Sequence, residues 1–505
     1  MKHTLFTLFL LSFLLGIILR MININQPLLE YNTTRQAQTA MITKNYILNK
    51  LHFLYPTIYN YSGENPTYLM QEFPLITAPV AIACYLIGTI PDWLLRIPSL
   101  FSFIMATFFL FKLVELCWNR KLAVISSCIF IFSPLSILMS RTFQPEMPML
   151  FFLLMMFYFL WKWVYDDNIY SLIFSAFSFM CCILLKVTNL YLLLPILYII
   201  LSNKKKIDYR LFNFIVAFVL AFLPVLWWYG YHCPKIRHLF PNQYDVIFNI
   251  HYQTIFTKKY LTNFNFYLRL IVHIIRTAFT PLVSIAFIIG LLIRHRTNEE
   301  KFLFFWLCGV IIFLLSFPSV TDHEYYKLVI VPIGAIYAAR GVSIFLNKNK
   351  NYFKLIIIYS SILSFIFSLR IVYPYLINKA YFKNTLLAGK VIDEVSFKDD
   401  LIVVAHESGS GLLYYCNRRG WGLKIPAIIK KRWDKDASPK NLDEQNYEAI
   451  TSLEDYRRKN AKYFVTVDME KFNKSHKFRE YMFKNYILLR HEPDKYIIFK
   501  LENKR

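Results

Sequence analysis

The sequence predicts a polytopic α-helical membrane protein with a small soluble α/β domain at its C-terminal end. Three observations lead to this fold class. The 505 residues are 56% hydrophobic and 18% aromatic, whereas soluble domains are nearer about 45–50% apolar. Apolar runs close to the roughly 20 residues that cross a hydrocarbon core recur between residues 5 and 372. From Tyr373 onward the composition becomes charged and mixed, which indicates a separate soluble domain.

Most of the apolar runs are interpreted as membrane spans. The exception covers residues 75–90, which is short, contains Pro79 and is predicted to form a helix lying at the membrane interface. About eleven transmembrane helices are therefore expected on the basis of length and apolarity. The predicted spans are residues 4–22, 97–117, 122–139, 147–164, 170–186, 189–203, 210–230, 277–293, 301–318, 326–346 and 353–373.

Basic residues in the short loops determine the predicted orientation, because cytoplasmic loops are enriched in Lys and Arg. With residues 75–90 excluded as a span, the basic clusters fall on the side of Met1; they are residues 119–121, 204–206, 294–296 and 348–350. The N-terminus is thus predicted to be cytoplasmic. The formal net charge of +25 then reflects membrane topology and contact with anionic membrane lipids, and no nucleic-acid partner is expected.

The predicted domains are a membrane domain, residues 1–373, whose first outer loop is 23–96, and a non-cytoplasmic α/β domain, residues 374–505. Strands and helices in the second domain are expected from alternating and helical patterns. The predicted strands are 401–405, 463–467 and 496–501, and the predicted helices are 385–395 and 444–458. The short glycine motif Gly409-Ser410-Gly411 is predicted to be a turn, with phosphate binding as the alternative.

Three carboxylates lie where predicted outer segments meet the membrane. Glu30 follows the first span, Glu72 precedes the interfacial helix, and Glu146 opens a later span. Such acids often serve only the dipole at a helix N-terminus, and Glu30 in that case pairs with Arg35. An acid just outside the membrane is equally well placed to meet a lipid-carried substrate. Together the three are suited to general-base catalysis and to a divalent cation site for Mg²⁺ or Mn²⁺.

Two further polar sites lie on the same face. Lys186 interrupts an apolar region at the outer boundary, where it either snorkels or holds a phosphate. His323 and Tyr326 belong to a dense polar turn before a predicted span. An interfacial aromatic belt explains the tyrosine but not the histidine.

The order of these motifs resembles that of bacterial glycosyltransferases with the GT-C fold. The nearest groups are the family 39 and aminoarabinose-transferase-like proteins, which are related to protein O-mannosyltransferases. The resemblance covers roughly residues 1–345 and rests on residues 30–40, Glu72-Phe73-Pro74-Leu75, Arg96-Ile97-Pro98-Ser99-Leu100, Ser133-Pro134 with Gln144-Pro145-Glu146, and His323-Glu324-Tyr325-Tyr326. The first-loop acid of that family is usually Asp, commonly followed by another acid, whereas here Glu30 is followed by Tyr31.

The resemblance implies transfer of a hexose or pentose, with inversion, from a polyprenyl-phosphate sugar to a lipid, glycan or protein acceptor. It implies Glu30 as the base or acceptor-orienting group, with Glu72 and Glu146 completing the catalytic set or holding a metal. If the acceptor is itself a phosphate, Glu30 only orients it. The residues that the resemblance assigns to the donor phosphate are Lys186, Arg35, His323 and Tyr326.

Two other functions are compatible with such a chain. A transporter or flippase of lipid-linked sugars also needs many helices, but the sequence has no internal repeat of two halves, from which transporters are often built. A membrane scaffold whose tail binds a partner is the third interpretation. The predicted location is a bacterial inner (plasma) membrane with the tail in the periplasm, because an N-glycosylated Asn32-Thr33-Thr34 beside Glu30 would crowd the site.

Overall fold

The computed structural model describes residues 2–203, 210–243, 261–321, 323–348, 350–377, 380–406, 409–426 and 442–503. The basic cluster predicted at 204–206, and Asn349 of the cluster at 348–350, lie outside the described residues. Helices make up most of the chain before residue 378, and a mixed α/β unit follows.

The membrane part is built from helices of unequal length. Its α-helices are Lys2–Met21, Thr33–Leu48, Thr77–Ile87, Asp92–Cys117, Arg120–Phe132, Pro134–Met139, Glu146–Asp166, Ile169–Leu185, Leu193–Ser202, Leu211–Val225, Cys233–Leu239, Phe264–His273, Pro281–Leu291, Asn298–Ser316, Pro318–Thr321, Ile330–Asn347 and Asn351–Ile377. Short 3₁₀ segments are Val187–Leu192, Pro241–Gln243 and Glu324–Val329, and π-helical segments are Leu226–His232 and Ile274–Ala278.

Helices occupy every predicted span, but the number of membrane crossings stays a prediction. Among the described residues, five helices are long and apolar enough to cross a membrane, or six if the pair Phe264–Ala278 and Pro281–Leu291, bent by 108°, is one span. The segment predicted to be interfacial forms the helix Thr77–Ile87 of 11 residues. At about 1.5 Å per residue this helix is too short to cross the bilayer.

Two of the apolar helices, Pro281–Leu291 and Ile330–Asn347, pack closely through small residues. A Cβ atom added to Gly290 in Pro281–Leu291 would collide with the carbonyl of Tyr337, and one added to Gly341 would collide with the carbonyl of Ala286. Between membrane helices, small residues allow such close backbone approach. By contrast, only 11% of the 18-residue apolar stretch of Asn351–Ile377 is buried. Most of the surface of this helix therefore lies on the outside of the helical bundle.

The C-terminal unit contributes five strands to a mixed seven-stranded sheet, and the first outer loop contributes the other two. The strands of the sheet are β1 (Thr57–Ser62), β2 (Asn65–Tyr68), β3 (Leu401–Ala405), β4 (Gly420–Gly422), β5 (Ala461–Thr466), β6 (Tyr486–Glu492) and β7 (Tyr496–Asn503), in the order β2-β1-β4-β3-β5-β7-β6. β3 is parallel to β4 and β5, whereas β7 is antiparallel to β5 and β6. The accompanying helices are Ala380–Val395, Gly409–Cys416, Leu442–Arg458, Met469–Lys474 and His476–Asn485.

The three strands and two helices predicted in this unit are confirmed within a few residues. The turn predicted at Gly409-Ser410-Gly411 is wrong, because these residues begin the helix Gly409–Cys416. The strand β6 was not predicted, since most of its side chains are exposed and no buried apolar alternation marks it.

The first outer loop contributes to the C-terminal sheet. β1 and β2 form a hairpin within residues 23–96, and β1 pairs in parallel with β4 through Asn60 and Gly420. The boundary predicted at 373/374 stays a prediction, but the sheet combines strands from both sides of it. The outer loop and the tail therefore lie on one side of the membrane.

This shared sheet makes a testable prediction about topology. Cysteines introduced at Ser62 and at Ser452 should react with a membrane-impermeant maleimide from the same side of sealed vesicles, because both positions belong to the unit that contains the sheet. A cysteine at Asn119, beyond the far end of the candidate span Asp92–Cys117, should react only from the other side. Labelling of the Ser62 and Ser452 positions from opposite sides would contradict the arrangement.

Candidate functional site

Lys186 is the centre of one group of predicted site residues. The helix Ile169–Leu185 ends where Lys186 adopts an extended backbone, which directs its side chain inward to 9% exposure. Its Nζ lies 2.8 Å from Glu146 Oε1 and 3.9 Å from Glu72 Oε1. It also lies 4.5 Å from the centre of the Tyr326 ring, within the range of a cation–π interaction.

Arg35 joins the same group from the first outer loop. It lies in the first turn of the helix Thr33–Leu48, which begins after Asn32 takes a left-handed φ of 56°. Its Nη2 donates to both carboxylate oxygens of Glu72. Burial acts to lower the pKa of Arg35, but Glu72 and Glu146 raise it above its ordinary value. The sequence expectation that Arg35 pairs with Glu30 is wrong, because Glu72 is its partner.

Glu30 forms its ion pair with a different cation, Arg96. Arg96 Nη1 donates to Glu30 Oε1, and the Glu30 and Arg96 side chains are 2% and 1% exposed. Gln26 donates to the second oxygen, Oε2, and Arg141 Nη2 lies 3.7 Å from it. Arg96 is one turn inside the helix Asp92–Cys117, so the first outer loop is held against the start of a candidate span.

The surroundings of Glu30 carry an excess of positive charge. Arg20, Arg96 and Arg141 are all buried, and among the described residues Glu30 is the carboxylate within 4 Å of Arg96 and Arg141. Arg20 donates instead to neutral oxygens, including Ser140 Oγ at 2.6 Å. Because isolated charges are costly to bury, this part of the site is suited to an anionic ligand.

Tyr31 connects the first outer loop to the polar turn that contains His323 and Glu324. Its hydroxyl donates to Glu324 Oε2 at 3.0 Å, and Glu324 Oε1 lies 3.7 Å from His273 Nε2. Burial, with the Glu324 carboxylate, raises the pKa of Tyr31. His323 is exposed and stacks on Tyr325 with ring centres 5.7 Å apart, so it lies at the rim of the site.

The structure brings five of the seven predicted site residues into one group: Glu72, Glu146, Arg35, Lys186 and Tyr326. It does not group Glu30, Glu72 and Glu146 as a joint metal site. Within the described part of the chain, no three His, Cys, Asp or Glu side chains are arranged to hold a metal ion. The physical reason is that a protein cation already faces each carboxylate: Arg96 for Glu30, Arg35 for Glu72 and Lys186 for Glu146.

Sequence reasoning missed several contributors to the site. Arg96 and Glu324 belonged to motifs used for the resemblance but were not assigned a role, and no role was considered for Gln26 or Arg141. The signal that could have found the arginines is a charged residue at the edge of an apolar run, which marks a functional position by default. Their partners could not be read from the sequence, because Glu30 and Arg96 are far apart along the chain.

Part of the sequence matches a known protein family. Residues 72–228 match the family described as dolichyl-phosphate-mannose-protein mannosyltransferase. No protein of curated function matches the sequence.

Solved structures match over nearly the whole chain. The ArnT structure from Cupriavidus metallidurans bound to undecaprenyl phosphate has a TM-score of 0.64 at 9% identity and covers 99% of both chains. The Archaeoglobus fulgidus oligosaccharyltransferase tethered with an acceptor peptide has a TM-score of 0.60 at 12% identity, covering 100% of this chain and 74% of that one. The mycobacterial arabinofuranosyltransferase AftD has a TM-score of 0.54 at 12% identity, covering 100% of this chain and 42% of that one. The predicted GT-C fold is confirmed, and the chain is a multi-pass membrane protein.

The buried Glu30–Arg96 pair predicts a large effect on stability. Replacing Arg96 with Leu leaves Glu30 without its cation, and breaking a buried pair in this way costs about 3–5 kcal/mol. The thermal unfolding temperature in nanodiscs should therefore fall sharply. Lys112→Leu is the control in the same helix, because its pair with Glu115 is partly exposed and is worth about 0–1 kcal/mol. Equal unfolding temperatures for the two variants would contradict the role of the buried pair.

Proposed function

We propose that this GT-C fold chain is a membrane glycosyltransferase that transfers a sugar from a polyprenyl-phosphate carrier on the non-cytoplasmic face. The transferred sugar is a hexose or a pentose, and the acceptor is a lipid, a glycan or a protein. The proposal draws support from undecaprenyl phosphate in the ArnT complex and from the acceptor peptide on the archaeal oligosaccharyltransferase.

The observation that carries the proposal is the group of Arg35, Lys186, Glu72 and Glu146, in which Lys186 and Glu146 are buried and Arg35 and Glu72 are partly buried. Arg35 Nη1 and Glu146 Oε2 are buried and make no hydrogen bond to any described residue, whereas Glu146 Oε1 contacts Lys186 Nζ at 2.8 Å. Buried polar atoms in folded proteins almost always have a hydrogen-bond partner. A phosphate would accept from Arg35 Nη1, and a hydroxyl group of the substrate would donate to Glu146.

In the proposed reaction, an acceptor atom attacks the anomeric carbon from the face opposite the carrier phosphate. The bond between that carbon and the phosphate oxygen breaks, the configuration inverts, and the electron pair stays on the departing phosphate. Arg35 and Lys186 stabilise the charge that develops there, Arg35 through its planar guanidinium and Lys186 as a point charge. Glu72 and Glu146 hold these two cations in position before the donor arrives.

Glu30 is proposed to act on the acceptor. Held by Arg96 and Gln26, its carboxylate takes the proton of an attacking hydroxyl group or, if the acceptor is a phosphate, only orients it. The buried arginines around Glu30 favour an anionic group of the donor or acceptor in this part of the site. Glu72 and Glu146 are proposed to shape the site, and no step is assigned to a metal.

Tyr326 and His323 are proposed to act at the donor phosphate from the side of the polar turn. Tyr326 lies against the Lys186 ammonium and fixes its direction. His323 is exposed at the rim, where an approaching phosphate headgroup would pass. The proposed location is a bacterial inner (plasma) membrane, with the N-terminus cytoplasmic and the tail periplasmic, and it draws support from the basic loops.

Glu30→Gln should abolish most of the activity. The purified protein in nanodiscs would be given a panel of labelled polyprenyl-monophosphate sugars with candidate acceptors, and the release or transfer of sugar would be measured. If Glu30 is the base, turnover should fall at least about 100-fold, the lower end of the effect of general-base catalysis. The anomeric configuration of the product, measured by NMR, should be opposite to that of the donor.

Glu64→Gln is the matched control, because Glu64 is an exposed acid in the same outer loop. It should turn over the donor at the wild-type rate. Near wild-type activity of Glu30→Gln would refute the role of Glu30. Failure of wild type to use any donor, with or without Mg²⁺ or Mn²⁺, would favour a lipid-linked sugar transporter, which a flipping assay would then test.

Lys186 should act mainly on the donor. The double variant Lys186→Met with Glu146→Gln removes both charges of the pair and leaves no buried ion alone. The KM for the donor should rise about 10-fold or more, because a hydrogen bond to a charged group is worth about 1.5–3 kcal/mol. Lys235→Met, an exposed lysine on the outer side, is the control. An unchanged KM in the double variant would remove Lys186 from the phosphate site.

A further inference from the structure

The first outer loop and the C-terminal unit are joined by specific hydrogen bonds as well as by the shared sheet. Trp421 Nε1 donates to the carbonyl of Gly63 at 2.9 Å, and Ser410 Oγ donates to Asn60 Oδ1 at 3.0 Å. Gly420, which pairs with Asn60, has a φ of +150°, and a Cβ there would collide with the carbonyl of Ile402. The joining strand β4 is therefore tightly constrained.

A second set of contacts reaches the helix that carries Arg35. The tail helix Gly409–Cys416 packs on Thr33–Leu48. Just beyond it, Asn417 Oδ1 accepts a hydrogen bond of 2.6 Å from Lys44 Nζ. The tail thus contacts both the hairpin and the first helix of the outer loop.

Tyr415, in the same tail helix, contacts both of the segments that carry Glu30 and Arg96. Its hydroxyl accepts from the backbone N–H of Leu28 at 2.6 Å and donates to Asp92 Oδ2 at 3.3 Å. Burial, together with Asp92, raises the pKa of Tyr415 well above its ordinary value. The hydroxyl therefore keeps its proton and can fill both roles at once.

The two partners of Tyr415 lead directly to the two members of the buried pair. Leu28 is two residues before Glu30, and Asp92 is one helical turn before Arg96, on the same helix face. Arg96 Nη2 in turn donates to the carbonyl of Gln26 at 2.7 Å, so the helix that carries Arg96 is also bonded directly to the loop segment that carries Glu30. One hydroxyl group of the tail therefore ties together the two segments that meet at Glu30 and Arg96.

We propose that Tyr415 is a positioning residue of the site and that the C-terminal unit serves to hold Glu30 and Arg96 in register. Its effect on turnover rests on the proposed function. Tyr415 does not touch the reacting atoms; it fixes the backbone from which Glu30 projects. A misplacement of about 1 Å at a reacting group can cost about 100-fold in rate, so this contact has a catalytic consequence.

Tyr415→Phe in the full-length protein tests the proposal, with the adjacent Tyr414→Phe as control, because the Tyr414 hydroxyl does not bond to Leu28 or Asp92. Hydrogen–deuterium exchange of residues 26–32 in nanodiscs reads the contact directly, since the Leu28 amide loses its acceptor. Exchange should quicken about 5- to 10-fold in Tyr415→Phe, the size expected for one hydrogen bond. The kcat should also fall, by up to about 100-fold for a shift of about 1 Å at Glu30, while the donor KM stays unchanged because Arg35 and Lys186 are untouched.

A further variant separates this contact from a general loss of structure. Asp92→Asn keeps an acceptor oxygen for the Tyr415 hydroxyl and should retain wild-type exchange at residues 26–32. Unchanged exchange in Tyr415→Phe, or faster exchange with wild-type kcat, would overturn the proposal. If wild type turns over no donor, the proposed function fails by itself, and the exchange data still decide whether Tyr415 holds the loop.

Discussion

The buried ion pair between Glu30 and Arg96 is the interaction on which the arrangement of the site depends. Removing two charges from water is costly unless the geometry is good and the remaining donors are satisfied. The two terminal nitrogens of Arg96 meet this demand with the carbonyl oxygens of Gln26, Pro27 and Arg141, whereas its Nε has no hydrogen-bond partner among the described residues. The pair can therefore exist only when the first outer loop, the helix Asp92–Cys117 and the turn at Arg141 are assembled together.

The cost of burying unpaired charge also distinguishes two parts of the site, which differ in how well their charges are balanced. Arg35 and Lys186 are balanced by Glu72 and Glu146, so this part is preorganised without a ligand. Near Glu30, buried arginines outnumber the carboxylates that pair with them, and this part can be neutralised by an anionic substrate group. A phosphate-bearing donor and a separately held acceptor suit such a division.

The shared sheet explains why a membrane domain of this kind carries a soluble unit. The hairpin β1–β2 has a free edge, and pairing with β4 satisfies it. The outer loop would otherwise have to order itself against chain entropy by its own contacts alone. The tail instead supplies a rigid surface against which Leu28, Asn60 and Lys44 are held.

The sequence by itself determined the membrane class, the helix at every predicted span and the strands β3, β5 and β7, because apolar length and local periodicity are encoded in neighbouring residues. It also located Glu72, Glu146, Arg35, Lys186 and Tyr326 as residues of one face. Only the tertiary structure decided that Arg35 pairs with Glu72, that Arg96 holds Glu30, and that β1 joins β4. Partner choice depends on long-range geometry and on the cost of burying unpaired charge, neither of which leaves a local pattern in the chain.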